Sequence, residues 1–164
     1  MGFIKAFLLV NLNRLATLKI LCYSRIMPLT TEDKFEYWLN YARNDLDSAD
    51  FMLKSGRWYY TLFMCQQAIE KLTKGLYIVY IDDNVPRLHD INSIFDRFKE
   101  KLPEQFSEDR VNLFDTLSQF YLRSRYPDYT SALSSLTTQE TAQSIYEKSK
   151  EAFQWLLTMK TRSE

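Results

Sequence analysis

The spacing of apolar residues is the feature that most constrains the fold of this chain. Hydrophobic side chains recur at intervals of three and four positions, which places them on one side of an α-helix. Only three glycines and four prolines occur in the 164 residues, and no segment shows the alternating pattern of a half-buried strand. The pattern therefore predicts an all-α domain.

Five helices are predicted from this pattern. Gly56 is expected to end the first of them in a left-handed conformation. Long helices joined by short loops favour an antiparallel, up-down bundle of four to five helices. The predicted helices are about 31–55 and 57–81, Asp90 through Leu102, Ser107 into the stretch 121–129, and Thr137 through Leu157.

Residues 1–26 differ in composition from the rest of the chain. They contain four basic residues and no acidic residue, and polar residues interrupt their apolar run, so it is too short to span a bilayer. A second methionine, Met27, directly precedes a helix-start signal. Residues 1–26 are therefore interpreted as an extension or a mis-assigned start, with a signal peptide or a membrane-surface helix as alternatives. The domain is placed at 27–164, with no membrane association unless the extension is genuine.

The composition of residues 27–164 excludes several classes of function. Residues 27–164 carry 17 basic and 21 acidic residues, a net charge of −4, so any binding of nucleic acid must be local. The single histidine, His89, has no Glu-x-x-His partner, and glycine-rich phosphate loops and zinc-ligand spacings are absent. No metal or cofactor is expected. Cys65 lies in an apolar helix pattern, which indicates a reduced core thiol and a cytoplasmic protein.

The stretch "YLRSRYPDY" at 121–129 is the main candidate site. Pro127 disfavours continuation of the preceding helix, so one interpretation is simply a helix end. Two arginines among three tyrosines could instead hold a phosphate and stack on a base. The candidate residues for binding a nucleotide or RNA phosphate are Arg123, Arg125, Tyr126, Asp128 and Tyr129.

The second predicted helix carries a polar stripe. Gln67, Glu70 and Lys74 are spaced i, i+3 and i+7 and so share one side of the helix. They form either a solvated face with a weak ion pair or a supporting part of the arginine site. His89 precedes Asp90, which is expected to cap the third helix, and is interpreted as structural.

Three stretches together resemble the HEPN family (higher eukaryote and prokaryote nucleotide-binding domains). "YYTLFMCQQAIEKLTKGLY" at 59–77 resembles the second helix of the family, with its Gln-Ala-x-Glu-Lys core. "LHDI" at 88–91 resembles the start of its third helix. "RSRYPDY" at 123–129 resembles the Arg-Tyr-Pro-Asp segment of one branch. The resemblance extends over about 33–158.

The resemblance implies an HEPN-like up-down bundle, usually a homodimer, whose arginine motif lines a cleft near the dimer interface. Many members are ribonuclease toxins or RNA-processing nucleases, and others are encoded beside a minimal nucleotidyltransferase that acts as antitoxin. It therefore suggests a toxin-like partner of a nucleotidyltransferase that binds nucleotide or RNA. The alternative is a non-catalytic dimerisation or interaction module that regulates a partner protein.

The sequence departs from the nuclease members at one point. Those members carry a histidine after the motif arginine, with four to six residues between them, whereas the corresponding positions here hold Asp, Tyr, Thr, Ser and Ala. Attack by a ribose 2′-hydroxyl needs a proton acceptor. Tyr129 is a poor one, since tyrosine has an ordinary pKa of about 10. The resemblance implies a ribonuclease, the absence of the motif histidine argues against one, and no catalytic residue is assigned.

Overall fold

The computed structural model describes residues 28–102, 107–123 and 137–161, and the predicted extension lies outside these ranges. The described residues form five α-helices and a short 3₁₀ helix at Lys99–Lys101, with no strand among them. The all-α prediction is confirmed. The α-helices are α1 (Thr31–Lys54), α2 (Trp58–Tyr80), α3 (Ile91–Phe95), α4 (Glu108–Arg123) and α5 (Gln139–Thr161).

A tight turn joins α1 to α2. Gly56 has a φ of 71°, a left-handed conformation in which glycine avoids the steric penalty of a Cβ atom. Its N–H donates to the carbonyl of Leu53 at 3.1 Å, and the N–H of Arg57 donates to the carbonyl of Met52 at 2.9 Å. These bonds satisfy carbonyls at the end of α1, and Gly56 ends the helix as predicted.

Contacts between helix ends show the up-down arrangement. Lys160 near the end of α5 lies 2.8 Å from Glu32 at the start of α1, so these two helices are antiparallel. Tyr59 at the start of α2 packs against Phe120 near the end of α4, with ring centroids 6.2 Å apart. Together with the α1–α2 turn, these contacts define an antiparallel bundle.

Gly75 allows α1 and α2 to pack closely at one point. A Cβ atom on Gly75 would lie 3.2 Å from Cβ of Trp38 and 3.3 Å from Cδ2 of Phe35, closer than side chains normally pack. The absence of a side chain therefore brings the Trp38 ring beside Lys74, the residue that precedes Gly75 in α2.

The third helix is shorter than predicted. It ends at Phe95, and tighter bonds follow: Phe98 N–H donates to the Phe95 carbonyl at 3.0 Å, and Leu102 N–H to the Lys99 carbonyl at 3.1 Å. These i to i−3 bonds replace the α-helix with turns and a 3₁₀ helix. Phe98 is nevertheless buried and stacks on Tyr80, with centroids 5.6 Å apart, so the apolar residues reach the core by a different backbone path.

The buried core receives side chains from all five helices. The largest fully buried aromatic side chains are Phe35, Phe95, Phe98, Phe114 and Phe153.

Among the described residues, no helix combines the length and the apolar character that crossing a membrane requires.

Candidate functional site

The polar stripe on α2 contains a buried ion pair. The Lys74 ammonium lies 2.7 Å from Oε1 of Glu70, and the side chains of Lys74 and Glu70 are only 8% and 6% exposed. A solvated face is therefore excluded for these two residues. Burial of two charges costs several kcal/mol per ion, which the mutual attraction offsets only when further hydrogen bonds are made.

Glu70 receives those further hydrogen bonds. The Gln66 side-chain amide donates to Oε2 at 2.6 Å, and Nδ1 of His89 lies 3.1 Å from Oε1. The amide oxygen of Gln66 in turn accepts from Gln67 Nε2 at 2.6 Å. The carboxylate thus has three donors, one of them an ammonium.

The contact with Glu70 orients the imidazole of His89. A carboxylate oxygen accepts hydrogen bonds, so the imidazole directs an N–H at Nδ1 toward Glu70. None of the described residues forms a hydrogen bond with Nε2. The His89 side chain is 40% exposed.

Tyr121 connects this network to the end of α4. Its ring stacks on the imidazole of His89, with centroids 4.2 Å apart and planes inclined by 25°. Tyr121 lies two residues before Arg123, the last residue of α4. The structure thus brings Glu70, Lys74 and His89 close to the start of the predicted arginine stretch. Arg125, Tyr126, Asp128 and Tyr129 lie outside the described residues, and only the backbone of Arg123 is described.

The network reaches α1 on its other side. The Lys74 ammonium lies 5.8 Å from the centroid of the Trp38 ring, within the range of a cation–π contact. We call the set Gln66, Glu70, Lys74, His89 and Tyr121 the polar network. It can hold one imidazole in a fixed orientation. The described residues contain no group of three or more potential metal ligands.

Sequence reasoning missed two members of this set. Gln66 was not selected, although it lies four residues before Glu70 and therefore on the same side of α2. His89 was interpreted only as part of a helix start. Asp90 does cap α3, since its carboxylate accepts from Ser93 N–H at 2.6 Å, but this bond leaves the imidazole of His89 free to contact Glu70.

A concave surface lies between α4 and α5. Its volume is about 550 Å³, and its lining includes two cations and two carboxylates, Arg110, Lys148, Asp109 and Glu151. The Arg110 guanidinium already stacks on a tryptophan ring of α5 at 4.2 Å. None of the predicted site residues that lie in the described ranges lines this cleft, and the balanced charge of its described lining gives no preference for an anionic ligand.

Comparison with known proteins gives one family and two similar structures. The model of the HEPN domain family matches residues 35–160. TT1696 from Thermus thermophilus is 23% identical, with a TM-score of 0.66 over 77% of this chain and 98% of that one. ST0689, described as an archaeal HEPN homologue, is 24% identical, with a TM-score of 0.60 over 79% of this chain and 98% of that one. No curated protein matches the chain. At these identities the structures share the fold.

Proposed function

The chain belongs to the HEPN domain family, and on that basis we propose that it binds a nucleotide or RNA phosphate beside the end of α4. In this proposal, Arg123 and Arg125 contact the phosphate, and Tyr126, Asp128 and Tyr129 complete the site. The protein would act as the toxin-like partner of a minimal nucleotidyltransferase, in the cytoplasm. A stable complex with a nucleotidyltransferase encoded beside its gene would support that partnership.

The observation that carries this proposal is the position of the polar network. Glu70 and Lys74 form a buried ion pair, and such pairs are weak contributors to stability compared with apolar packing. Their hydrogen bonds hold His89 against Tyr121, two residues before Arg123. An imidazole held in one orientation next to an arginine-containing segment can contact an anionic, hydroxyl-bearing ligand. Helix packing does not require such an arrangement.

Replacement of Arg123 and Arg125 by alanine is expected to abolish binding of a short single-stranded RNA. Each lost phosphate contact should also reduce the slope of log K against log salt by about 0.7 unit, the value for single strands, because fewer counterions are released. The fold should persist, since ion pairs at the surface contribute only about 0–1 kcal/mol. Fluorescence anisotropy at several salt concentrations measures both effects.

A matched double variant controls for the loss of two positive charges. Arg43 on α1 and Arg97 after α3 are both exposed, and their replacement by alanine should leave specific binding nearly intact. If the Arg123/Arg125 variant unfolds and the wild type binds neither nucleotide nor RNA, the arginine stretch is structural and the proposal fails.

An exposed aromatic face on α1 favours the second candidate function, a helical module for dimerisation or interaction with a partner. Tyr37, Tyr41 and Phe51 are 58%, 49% and 66% exposed. Their spacing of four and ten residues places them on one side of the helix. Apolar surface arranged in this way is typical of a contact with another protein. We take the occupant to be a second copy of the chain, related by a twofold axis.

Light scattering at about 50 μM should report a homodimer, because this concentration is well above a micromolar dissociation constant. Replacement of Tyr37 and Phe51 by serine should shift the protein to monomer, whereas replacement of Gln154, exposed on α5, should not. A wild-type protein that is monomeric at this concentration would contradict the proposed dimer. A dimer that binds no RNA would support the interaction module over the binding protein.

A further inference from the structure

We propose that two copies of the chain pack through α1 in antiparallel orientation, with the twofold axis of the dimer passing beside Asn44. The inference rests on the proposed dimer, because it names how the exposed aromatic face of α1 meets a second copy of itself. It is argued from the spacing of the aromatic rings along α1 and from the charges on the two flanks of that face.

The exposed face of α1 is symmetric about Asn44. Tyr37 and Phe51 each lie seven residues from Asn44, and all three residues are exposed. Seven residues are close to two helical turns, so the three side chains share one side of α1, and the Cα atoms of Tyr37 and Phe51 are about 21 Å apart. A contact between two identical faces needs a self-complementary pattern of this kind, because one face must fit its own copy.

A twofold axis beside Asn44 brings the aromatic rings of the two copies together. In the antiparallel orientation, a residue before Asn44 faces the residue that lies equally far after Asn44 in the second copy. Tyr37 of one copy therefore meets Phe51 of the other, and the symmetry repeats this contact at the opposite end of the interface. In a parallel orientation each ring would meet its own copy instead, so the rings alone do not distinguish the two arrangements.

Arg43 and Asp47 favour the antiparallel orientation. Both are exposed, and their spacing of four residues places them on the same flank of the face. No ion pair joins either of them to another described residue. Antiparallel helices bring the same flank of both copies together, with Arg43 of one copy about 3 Å along the axis from the level of Asp47 in the other. The twofold axis repeats this ion pair, so all four charges obtain a partner.

The opposite flank of the face already makes its contacts with α2. The carboxylate of Asp45 forms an ion pair with Lys71, whose ammonium also lies 6.0 Å from the centroid of the Tyr41 ring. Parallel helices would place this flank of one copy against Arg43 of the other, although Asp45 already has a counter-ion. The antiparallel orientation is therefore the one that pairs the free charges of the exposed flank.

Cysteine cross-linking tests the position of the axis. A residue beside a twofold axis faces its own copy, so Asn44→Cys should form a disulfide-linked dimer with copper phenanthroline. The full chain with Cys22→Ser provides the background, because the remaining thiol of Cys65 is buried. Tyr37→Cys should not cross-link alone but should do so when mixed with Phe51→Cys. The mixed dimer keeps one Tyr37–Phe51 contact, and non-reducing electrophoresis measures the yields.

Exchange of charges tests the orientation independently. Asp47→Arg places like charges together on both sides of the axis and should raise the dissociation constant of the dimer about tenfold or more. Arg43→Asp combined with Asp47→Arg exchanges the two charges and should restore the wild-type constant to within about twofold. Glu151→Arg makes the same change of net charge on the exposed surface of α5 and should leave the constant unchanged. Analytical ultracentrifugation at several concentrations measures these constants.

The outcomes separate this inference from the proposed dimer. A wild-type protein that is monomeric at about 50 μM would overturn both. A dimer in which Tyr37→Cys alone cross-links as readily as Asn44→Cys would show parallel helices and overturn only the inference. A dimer that neither cross-links through Asn44→Cys nor weakens with Asp47→Arg would place the interface on another face, which also overturns the inference and leaves the dimer itself intact.

Discussion

Replacement of Lys74 by methionine is expected to lower the free energy of unfolding by about 3–5 kcal/mol, the usual cost of removing one partner from a buried ion pair. Methionine preserves much of the side-chain length and the contact with Trp38, so the main loss is the charge. Glu70 would then be a buried carboxylate whose remaining donors are Gln66 and His89. Chemical denaturation at neutral pH measures the change.

An exposed pair of the same geometry provides the control. Asp50 and Lys54 on α1 have the same i, i+4 spacing and the same order of charges, but the Lys54 side chain is 72% exposed. Lys54→Met should therefore cause a far smaller loss, because water already solvates both groups. Equal losses for Lys54→Met and Lys74→Met would show that burial does not determine the strength of the α2 pair.

A double variant separates the effect of the Glu70–Lys74 ion pair on stability from its effect on the rest of the polar network. Lys74→Met combined with Glu70→Leu removes both charges, and replacement of a buried pair by apolar residues is often neutral or stabilising. It should be more stable than Lys74→Met alone. It should also bind RNA more weakly, because His89 no longer has a partner at Nδ1. Stability and binding would then change in opposite directions, as expected if the network serves binding.

The long helices could be predicted because their signals are local. The apolar repeat and Gly56 define α1, α2 and the turn between them within one or two residues. The start of α5 differs slightly from the prediction. The predicted helix begins at Thr137, whereas in the structure the Thr138 hydroxyl caps it by accepting from Thr141 N–H at 3.1 Å. Two adjacent threonines offer the same chemistry, so the sequence does not choose between them.

The path of the chain after Phe95 could not be predicted in the same way. The apolar positions through Leu102 fit an α-helix, but stacking of Phe98 on Tyr80 and a hydrogen bond from Lys101 Nζ to the Tyr80 carbonyl at 2.7 Å hold this segment against the end of α2. These contacts join residues about twenty positions apart. A periodicity argument considers only neighbours along one helix, and tertiary packing determined the outcome here.

The candidate site, like the fold, could be predicted only in part from the sequence. The stripe of Gln67, Glu70 and Lys74 was recognised from spacing within α2, but spacing does not reveal whether a side of a helix faces solvent or another helix. Glu70 and His89 lie nineteen positions apart in the sequence. Tyr121, which stacks on His89, belongs to another helix, α4. The role of His89 became visible only when three elements were brought together.

The second large effect is expected at alkaline pH and arises from Cys65. Burial raises the pKa of this thiol from its ordinary value of 9.0 to about 12, and a hydrogen bond with Ser149 offsets only part of the shift. Above pH 9 the unfolded chain loses the thiol proton while the native protein retains it, so the unfolded state binds fewer protons. The free energy of unfolding must then fall as the pH rises from about 9 to about 12, by up to about 4 kcal/mol from this group.

Tyr146 adds to this loss in a higher range. Its pKa is raised to about 12 by burial and by the nearby carboxylate of Asp50, so its contribution is complete below pH 10 and disappears as the pH rises toward 12. Tyr146 of α5 faces α1 through Asp50, whereas Cys65 belongs to α2. Tyr146→Phe should flatten the pH dependence only above about pH 10. The smallest of the interactions that raise the pKa of Tyr146 is with Cys65 itself.

Cys65→Ala tests the larger effect. At pH 7 the variant should be less stable than the wild type, because alanine leaves a small cavity in the core. As the pH rises past 9 the wild type should lose stability faster, so the two curves of unfolding free energy should converge and cross before pH 12. Denaturant titrations at closely spaced pH values measure both curves, and the titrating groups that do not interact with Cys65 cancel in their difference. Parallel curves across this range would show that the Cys65 thiolate is accommodated in the native core as readily as in water.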